Sequence, residues 1–419
     1  MKGKARTLFV FAILSVFILA IFCTHCTSIT GGNSKADVRG AAYADPQTCA
    51  NCHKNVADNY AHTAHFNTSK PITTNALQKD IVADDNTYAY NDSVKVKVEK
   101  KGNGLYQTLY FKNKGSRSQR FDVAFGSGEK AQTYAYWNGN KLLELPLSYF
   151  KEIHNWANSP GFPNNGAYFD RLIISRCVEC HGSYAKTSFV QTGGVSTEQE
   201  YAKDSVLYGI DCQRCHGPAA QHVEFQTENP QVKTARFIAS FKKLNRQQKI
   251  DMCAVCHSGN DKETLRPLFD FKPGDELAAF YDPYAMPAKT PDVHGNQTGL
   301  LYQSKCFLHT ATLTCTTCHD THKKETGDLA AYSQKCMTCH SEAQHNFCKM
   351  APELGTAIAN KCIDCHMPTM ASKLITYKTA ALKQNSSYYL HTHRIASYPE
   401  KTKEIIAYIK NTAPVQNAR

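Results

Sequence analysis

The sequence predicts an α+β chain with little regular structure, mostly short helices and long loops with one small antiparallel β-module. Three observations predict it. Cysteine and histidine crowd into short recurring motifs along most of the chain. One long stretch lacks them and alternates apolar and polar residues instead. The helical patterns elsewhere are brief, and the loops between them are long.

At 419 residues the chain has room for two or three domains, and its 42% hydrophobic content is ordinary. Its 18 cysteines are not: they are too many for a cytosolic enzyme and too regularly spaced for a random set of disulfides. Fourteen lie in seven copies of Cys-x-x-Cys-His. The first four copies are Cys49/Cys52/His53, Cys177/Cys180/His181, Cys212/Cys215/His216 and Cys253/Cys256/His257. The last three are Cys315/Cys318/His319, Cys336/Cys339/His340 and Cys362/Cys365/His366. At this composition chance would give about 0.03 copies.

The amino terminus carries Lys2, Lys4 and Arg6 ahead of an apolar run from Leu8 to Phe22 broken only by Ser15. That is the pattern of an export signal, and it falls short of the ~20 apolar residues of a comfortable membrane span. Three endings stay open: lipidation at Cys23 or Cys26, cleavage just beyond Cys26, or retention as an anchor. Residues 1–26 are therefore read as signal peptide or membrane anchor, and 27–44 as a flexible linker.

The chemistry of the motif is specific. Cysteines at i and i+3 share one face of a helical turn, which suits two thioether bonds to the two vinyl groups of a porphyrin. The histidine after the second cysteine then points at the iron as its proximal ligand. Zinc sites also use Cys-x-x-Cys pairs, but zinc gives no reason for a histidine directly after every second cysteine. The expectation is seven covalently attached haem c groups, with the helices and loops wrapped around stacked haems. Their propionates, about 14 carboxyls, would offset the formal charge of +12. With basic residues scattered and the chain exported, no nucleic-acid partner is expected.

Seven irons need seven distal ligands if all are six-coordinate. Apart from the motif histidines and His25 in the signal region, ten histidines remain: His62, His65, His154, His222, His294, His309, His322, His345, His391 and His393. The surplus argues for two histidines per iron. His322 stands three residues after His319, about one turn along and on the same side, so it is better placed for a neighbouring haem than for the one His319 holds. The same reasoning covers His222, six residues after His216. Such a segment would hold two irons at a nearly constant separation.

Residues 45–84 form a first haem segment, with a helix expected to carry His62 and His65. Residues 85–150 read as the β-rich, haem-free module: Val94, Val96 and Val98 share one face and precede a Gly-Asn-Gly turn. Residues 151–371 form a six-haem domain. Within it, helices are expected from about Thr197 to Cys215, behind a Ser-x-x-Gln cap, and from about Thr234 to Cys253, with Phe237, Phe241 and Leu244 on one face. Residues 372–419 form a tail with a terminal helix near Lys401 to Lys410. Cys306 and Cys348 lie outside the motifs and are the candidate disulfide of an oxidising compartment.

The stretches TCANCHKNVADNYAHTAHFNTS, GSGEKAQTYAYW, CHGPAAQH, SKCFLHTATLTCTTCHDTH, CIDCHMP and HTHRI together resemble the multihaem cytochromes of the cytochrome c-552/4 domain family, related to the nitrification tetrahaem carrier. The resemblance covers nearly all of the chain after the linker. It implies His65, His222 and His322 as distal ligands, with His294 and His393 similar to recurrent family positions; His62 and His345 complete the candidate set. Two functions follow as expectations. One is an electron carrier, periplasmic or at the cell surface and tethered to a membrane, that serves other redox proteins or a membrane quinol-oxidising complex. The other is a multihaem oxidoreductase, hydroxylamine-oxidising or reducing nitrogen or sulfur oxyanions, with one open haem. No Cys-x-x-Cys-Lys motif is present.

Overall fold

The computed structural model of the chain describes residues 36–72, 86–284, 290–325, 327–344, 347–379 and 385–412. The expected export signal lies outside the described residues. No helix among them is long and apolar enough to cross a membrane. The architecture is the expected mixture of short helices and small antiparallel sheets.

Alternation builds the β-module. Val94–Lys101 and Gly104–Phe111 pair antiparallel across the turn, in register from Val94↔Phe111 to Lys101↔Gly104. Val96 and Val98 are buried, as period two requires. Thr87–Ala89 and Lys114–Arg120 flank them in a four-stranded sheet. A seven-stranded sheet from Ser69–Pro71 to Arg171–Leu172 adjoins it, so β-structure extends on both sides of the expected 85–150. The two sheets share one core. In it Phe121 stacks on Tyr134 at 4.5 Å and Trp156 lies 5.5 Å from both Tyr134 and Tyr149. Gln107, 0% exposed, clips the sheets together: its Nε2 donates to the Leu147 carbonyl at 2.8 Å and its Oε1 accepts from the Leu147 amide at 2.9 Å.

Outside this module a second core packs Ile250, Leu268, Phe271, Phe280 and Phe307, while several other helices have thin apolar cover. The helices Thr48–Cys52, Lys54–Tyr60 and Ala220–Glu228 bury no residue, and Leu329–Met337 buries only Ser333. Helices this short are marginal without packing on one face.

Three expected elements differ. The helix expected from Thr197 to Cys215 is instead a hairpin of Thr187–Gly193 with Ser196–Tyr201, followed by a 3-10 turn at Lys203–Ser205 and the short α-helix Cys212–His216. Gln199 and Tyr201 are buried while Glu198 and Glu200 turn outward to Lys141 and Asn140, a period of two that overrides the capping pattern. The helix expected from Thr234 starts at Arg246, where Asn245 and Gln248 form a capping box. His62 and His65 lie beyond the end of the helix Lys54–Tyr60 rather than on it. The terminal helix spans Pro399–Thr412.

The linker expected at 27–44 is docked over its described part, residues 36–44. Arg39 bridges Asp37 at 2.8 Å and Asp211 at 2.6 Å, and the Gln213 side chain bonds both the amide and the carbonyl of Ala44. Both contacts tie it to the segment of the third motif.

Gln107→Ala removes both bonds to Leu147 and leaves two backbone groups buried without partners, at about 1–3 kcal/mol each. The expected result is a clear fall in the thermal midpoint of the purified protein with haem content unchanged, read by circular dichroism and pyridine haemochrome.

Candidate metal centres

Each motif is positioned by a local turn that the sequence encodes. The Asp211 side chain accepts from the Arg214 amide at 2.8 Å and caps Cys212–His216. Thr314 and Thr317 form a reciprocal cap around Cys315. Asp328 caps Leu329–Met337, which ends at the sixth motif.

The motifs meet through their sulfurs. Cys49 lies against Cys212, Cys180 against Cys256, Cys253 against Cys315, and Cys336 against Cys362. Cys215 is near Cys253 and Cys256, and Cys318 is near Cys339. Taken in space, the motifs run first, third, fourth, fifth, sixth, seventh, with the second set beside the fourth. Of the two cysteines outside the motifs, Cys306 lies by Cys318, Cys336 and Cys339, and Cys348 lies by Cys365.

Histidines face each other in pairs. His65 and His257 have ring centres 6.0 Å apart, His216 and His322 6.0 Å, and His319 and His393 6.2 Å. Two imidazoles on opposite sides of one metal atom, each nitrogen about 2 Å from it, place their ring centres about 6 Å apart. His294 lies beside His181. In all four cases a motif histidine meets one from another segment. Among the described residues no three His, Cys, Asp or Glu side chains converge to hold a metal ion. Pairs suit an iron whose other four ligands are porphyrin nitrogens.

The motif histidines His53, His340 and His366 are exposed. His53 is exposed at the joint between Thr48–Cys52 and Lys54–Tyr60, where its amide donates to the Cys49 carbonyl at 2.9 Å. It lies within electrostatic reach of His216, and no histidine ring among the described residues faces it. His340 is also exposed, just past the end of Leu329–Met337, with its amide donating to the Cys336 carbonyl at 2.9 Å. His345, the candidate five residues further on, lies outside the described residues.

The remaining candidates fall elsewhere. His222 is near His216, with its Nδ1 2.9 Å from the Arg236 carbonyl. His62 lines a cleft of about 330 Å³ with Asn67, Ser127, Glu129 and Lys324, away from the motif sulfurs. His391 is outside the candidate set, yet its Nδ1 is 2.6 Å from the Met367 carbonyl, next to His366.

The surroundings fit a haem. A carbonyl can only accept, so in His222, His366 and His391 the bonded Nδ1 carries the proton and Nε2 keeps its lone pair for a metal. Cys177 and Cys215 are exposed, yet burial among protein atoms is the main cause of their raised thiol pKa values. Open and desolvated at once describes a side chain on the wall of an internal gap. Near Cys256 the guanidinium groups of Arg176 and Arg214 each keep a buried Nε without a partner, which suits an acid group such as a haem propionate.

Motifs, gaps and facing rings together define a multihaem c-type cytochrome, whose cofactor is covalently bound haem c. Comparisons with known proteins agree. Residues 48–116 match the family described as cytochrome c554 and c-prime. Among solved structures, the outer cell wall cytochrome OcwA shares the fold at 14% sequence identity, covering 87% of this chain and 81% of that one with a TM-score of 0.50. No curated protein matches the chain.

Burial lowers the pKa of His65 and of His393 to about 4, helped in each by nearby histidines. An unfolded chain takes up these protons near pH 6.5, so their contribution to stability is present above that value and is lost as pH falls through about 4. Metal ligation would hold these rings neutral still further down, so the oxidised protein is expected to keep its low-spin absorption spectrum on titration from about pH 7 to about pH 4, and high-spin bands gained within that range would count against ligation by His65 and His393.

Proposed function

We propose that this chain is an exported heptahaem cytochrome that passes electrons between redox partners through closely spaced haems, each iron held by two histidines. The observation that carries the reading is the facing of motif histidines by histidines from other segments at the separation one metal atom needs. Haem iron so held changes valence by one electron and has no free coordination position for a substrate. The chain's own part is to hold the rings, keep them neutral and set the distances between sites. His322 illustrates it: standing three residues from His319, it faces His216, so one short loop spans two centres. The contacts between motif sulfurs support a path from the first motif through the third, fourth, fifth and sixth to the seventh, with the second as a branch at the fourth.

The amino-terminal signal pattern supports export, and the name of the outer cell wall cytochrome OcwA is in keeping with it. Tethering through the amino terminus would set the haem path beside a membrane quinol-oxidising complex or another redox protein. The competing reading, an oxidoreductase acting on nitrogen or sulfur compounds, requires one iron with an open position. The exposed histidines His53, His340 and His366 make the first, sixth and seventh motifs the places to look for it.

Haem content by pyridine haemochrome and mass spectrometry is expected to give seven haems per chain. Low-temperature EPR of the oxidised protein then distinguishes the two readings. Nearly parallel imidazole planes split the iron orbitals and give rhombic signals, as for His216/His322 at 22° and His319/His393 at 27°. Perpendicular planes leave the orbitals nearly degenerate and give a strongly anisotropic signal, as for His65/His257 at 86°. Only low-spin signals of both kinds support the carrier; a high-spin signal of one haem per chain would move the assignment to an enzyme.

A further inference from the structure

We propose that Thr68 and Gln297 are positioning residues that brace the second and fourth motif sites against each other, so that each site's proximal histidine is oriented by the segment that supplies the other site's distal one. The inference rests on the reading of facing histidines as axial pairs.

Two four-residue segments carry it. In His65–Thr68, His65 faces His257 of the fourth motif at 6.0 Å, while Thr68 Oγ1 lies 2.9 Å from Nδ1 of His181 in the second. In His294–Gln297 the roles are exchanged: His294 lies beside His181, while Gln297 Oε1 is 3.1 Å from Nδ1 of His257. The amide of Gln297 is oriented by its Nε2, which donates to the Val293 carbonyl at 3.3 Å. With Nε2 of each motif histidine turned to the metal, Nδ1–H donates to the hydroxyl in one site and to the amide oxygen in the other.

Both segments are held rigidly enough for this to matter. The Ile210 amide donates to the His65 carbonyl at 3.0 Å and the Gly126 amide to the Thr68 carbonyl at 2.7 Å. Ser69, next in sequence, donates through Oγ to the His181 carbonyl. Gly209, at φ +66°, approaches so closely that a Cβ there would lie 2.2 Å from the Phe66 carbonyl oxygen. On the other segment the Gly259 amide donates to the Gly295 carbonyl at 2.8 Å, and Asn296 caps the helix Gln297–Leu301. Gly259 follows His257 by two residues, so the motif and its brace are joined through backbone.

The strength of the bond at Nδ1 sets how much electron density the ring gives the metal. Removing the acceptor makes the oxidised iron less well stabilised and raises its reduction potential; a carboxylate acceptor does the reverse. EPR-monitored redox titration of the haem-loaded, full-length protein tests this, because of the three facing ring pairs with a defined angle only His65/His257 is perpendicular, and its strongly anisotropic signal separates it from the other two. Gln297→Leu is expected to raise the midpoint of that signal and Gln297→Glu to lower it. Thr68→Val is expected to leave that midpoint in place and to raise that of one other low-spin component, with Thr68→Ser restoring it. Haem content and thermal midpoint accompany each variant, and Gln297→Glu and Thr68→Ser keep the test decisive should the apolar variants misfold. Unmoved midpoints in Gln297→Glu and Gln297→Leu, with wild-type low-spin signals intact, overturn the brace and leave the paired-histidine reading standing. A wild-type spectrum without the anisotropic low-spin signal overturns that reading, and the brace with it.

Discussion

The structure depends on imidazole rings facing one another across a gap about one metal atom wide. Some short helices at and near the motifs bury almost nothing. In the reading proposed above, a centre draws one ring from its motif and another from a remote stretch of chain. A coordinate bond at each end of such a pair would then act as a crosslink between segments, much as a structural metal does in a small domain.

That constraint explains where regular structure is found and where it is not. The β-module has a conventional core of aromatic and branched side chains, closed by the buried amide of Gln107. Its outer strand Ser69–Pro71 follows directly on the loop that carries His65 and Thr68, so the rigid part of the fold holds the first of the distal-side loops in place. Further along the chain, caps at Asp211, Asn245, Thr314 and Asp328 start short helices near the motifs, and loops do the rest.

The second and fourth sites are the most closely interlocked. Cys180 lies against Cys256, and His257 is within electrostatic reach of His65, His181, His294, His319 and His393. A centre in that position has neighbours on several sides. Its electrostatic surroundings, including the buried guanidinium groups of Arg176 and Arg214, bear on more than one step of any electron path through the molecule. The first and sixth motifs stand at the other extreme, with His53 and His340 exposed on turns that bury almost nothing.

Sequence by itself determined the chemistry: seven Cys-x-x-Cys-His motifs name the haem, because thioether spacing and the adjacent ligand are local properties of five residues. It also determined the pairing of Val94–Lys101 with Gly104–Phe111, where alternation and a tight turn act within one hairpin. That His322 turns to a ring other than that of His319 was legible in their three-residue spacing, but that the ring it faces is His216 was not, since the two lie far apart in the chain. The stretch at 196–201 read as helix because its cap-like start is local, whereas the strand that won depends on Lys141 and on a buried face shared with the β-module. Only the tertiary structure decided which ring meets which, and that Thr68 and Gln297 reach across to the histidines of other segments. Those are contacts between distant parts of the chain, and no local pattern encodes a distance.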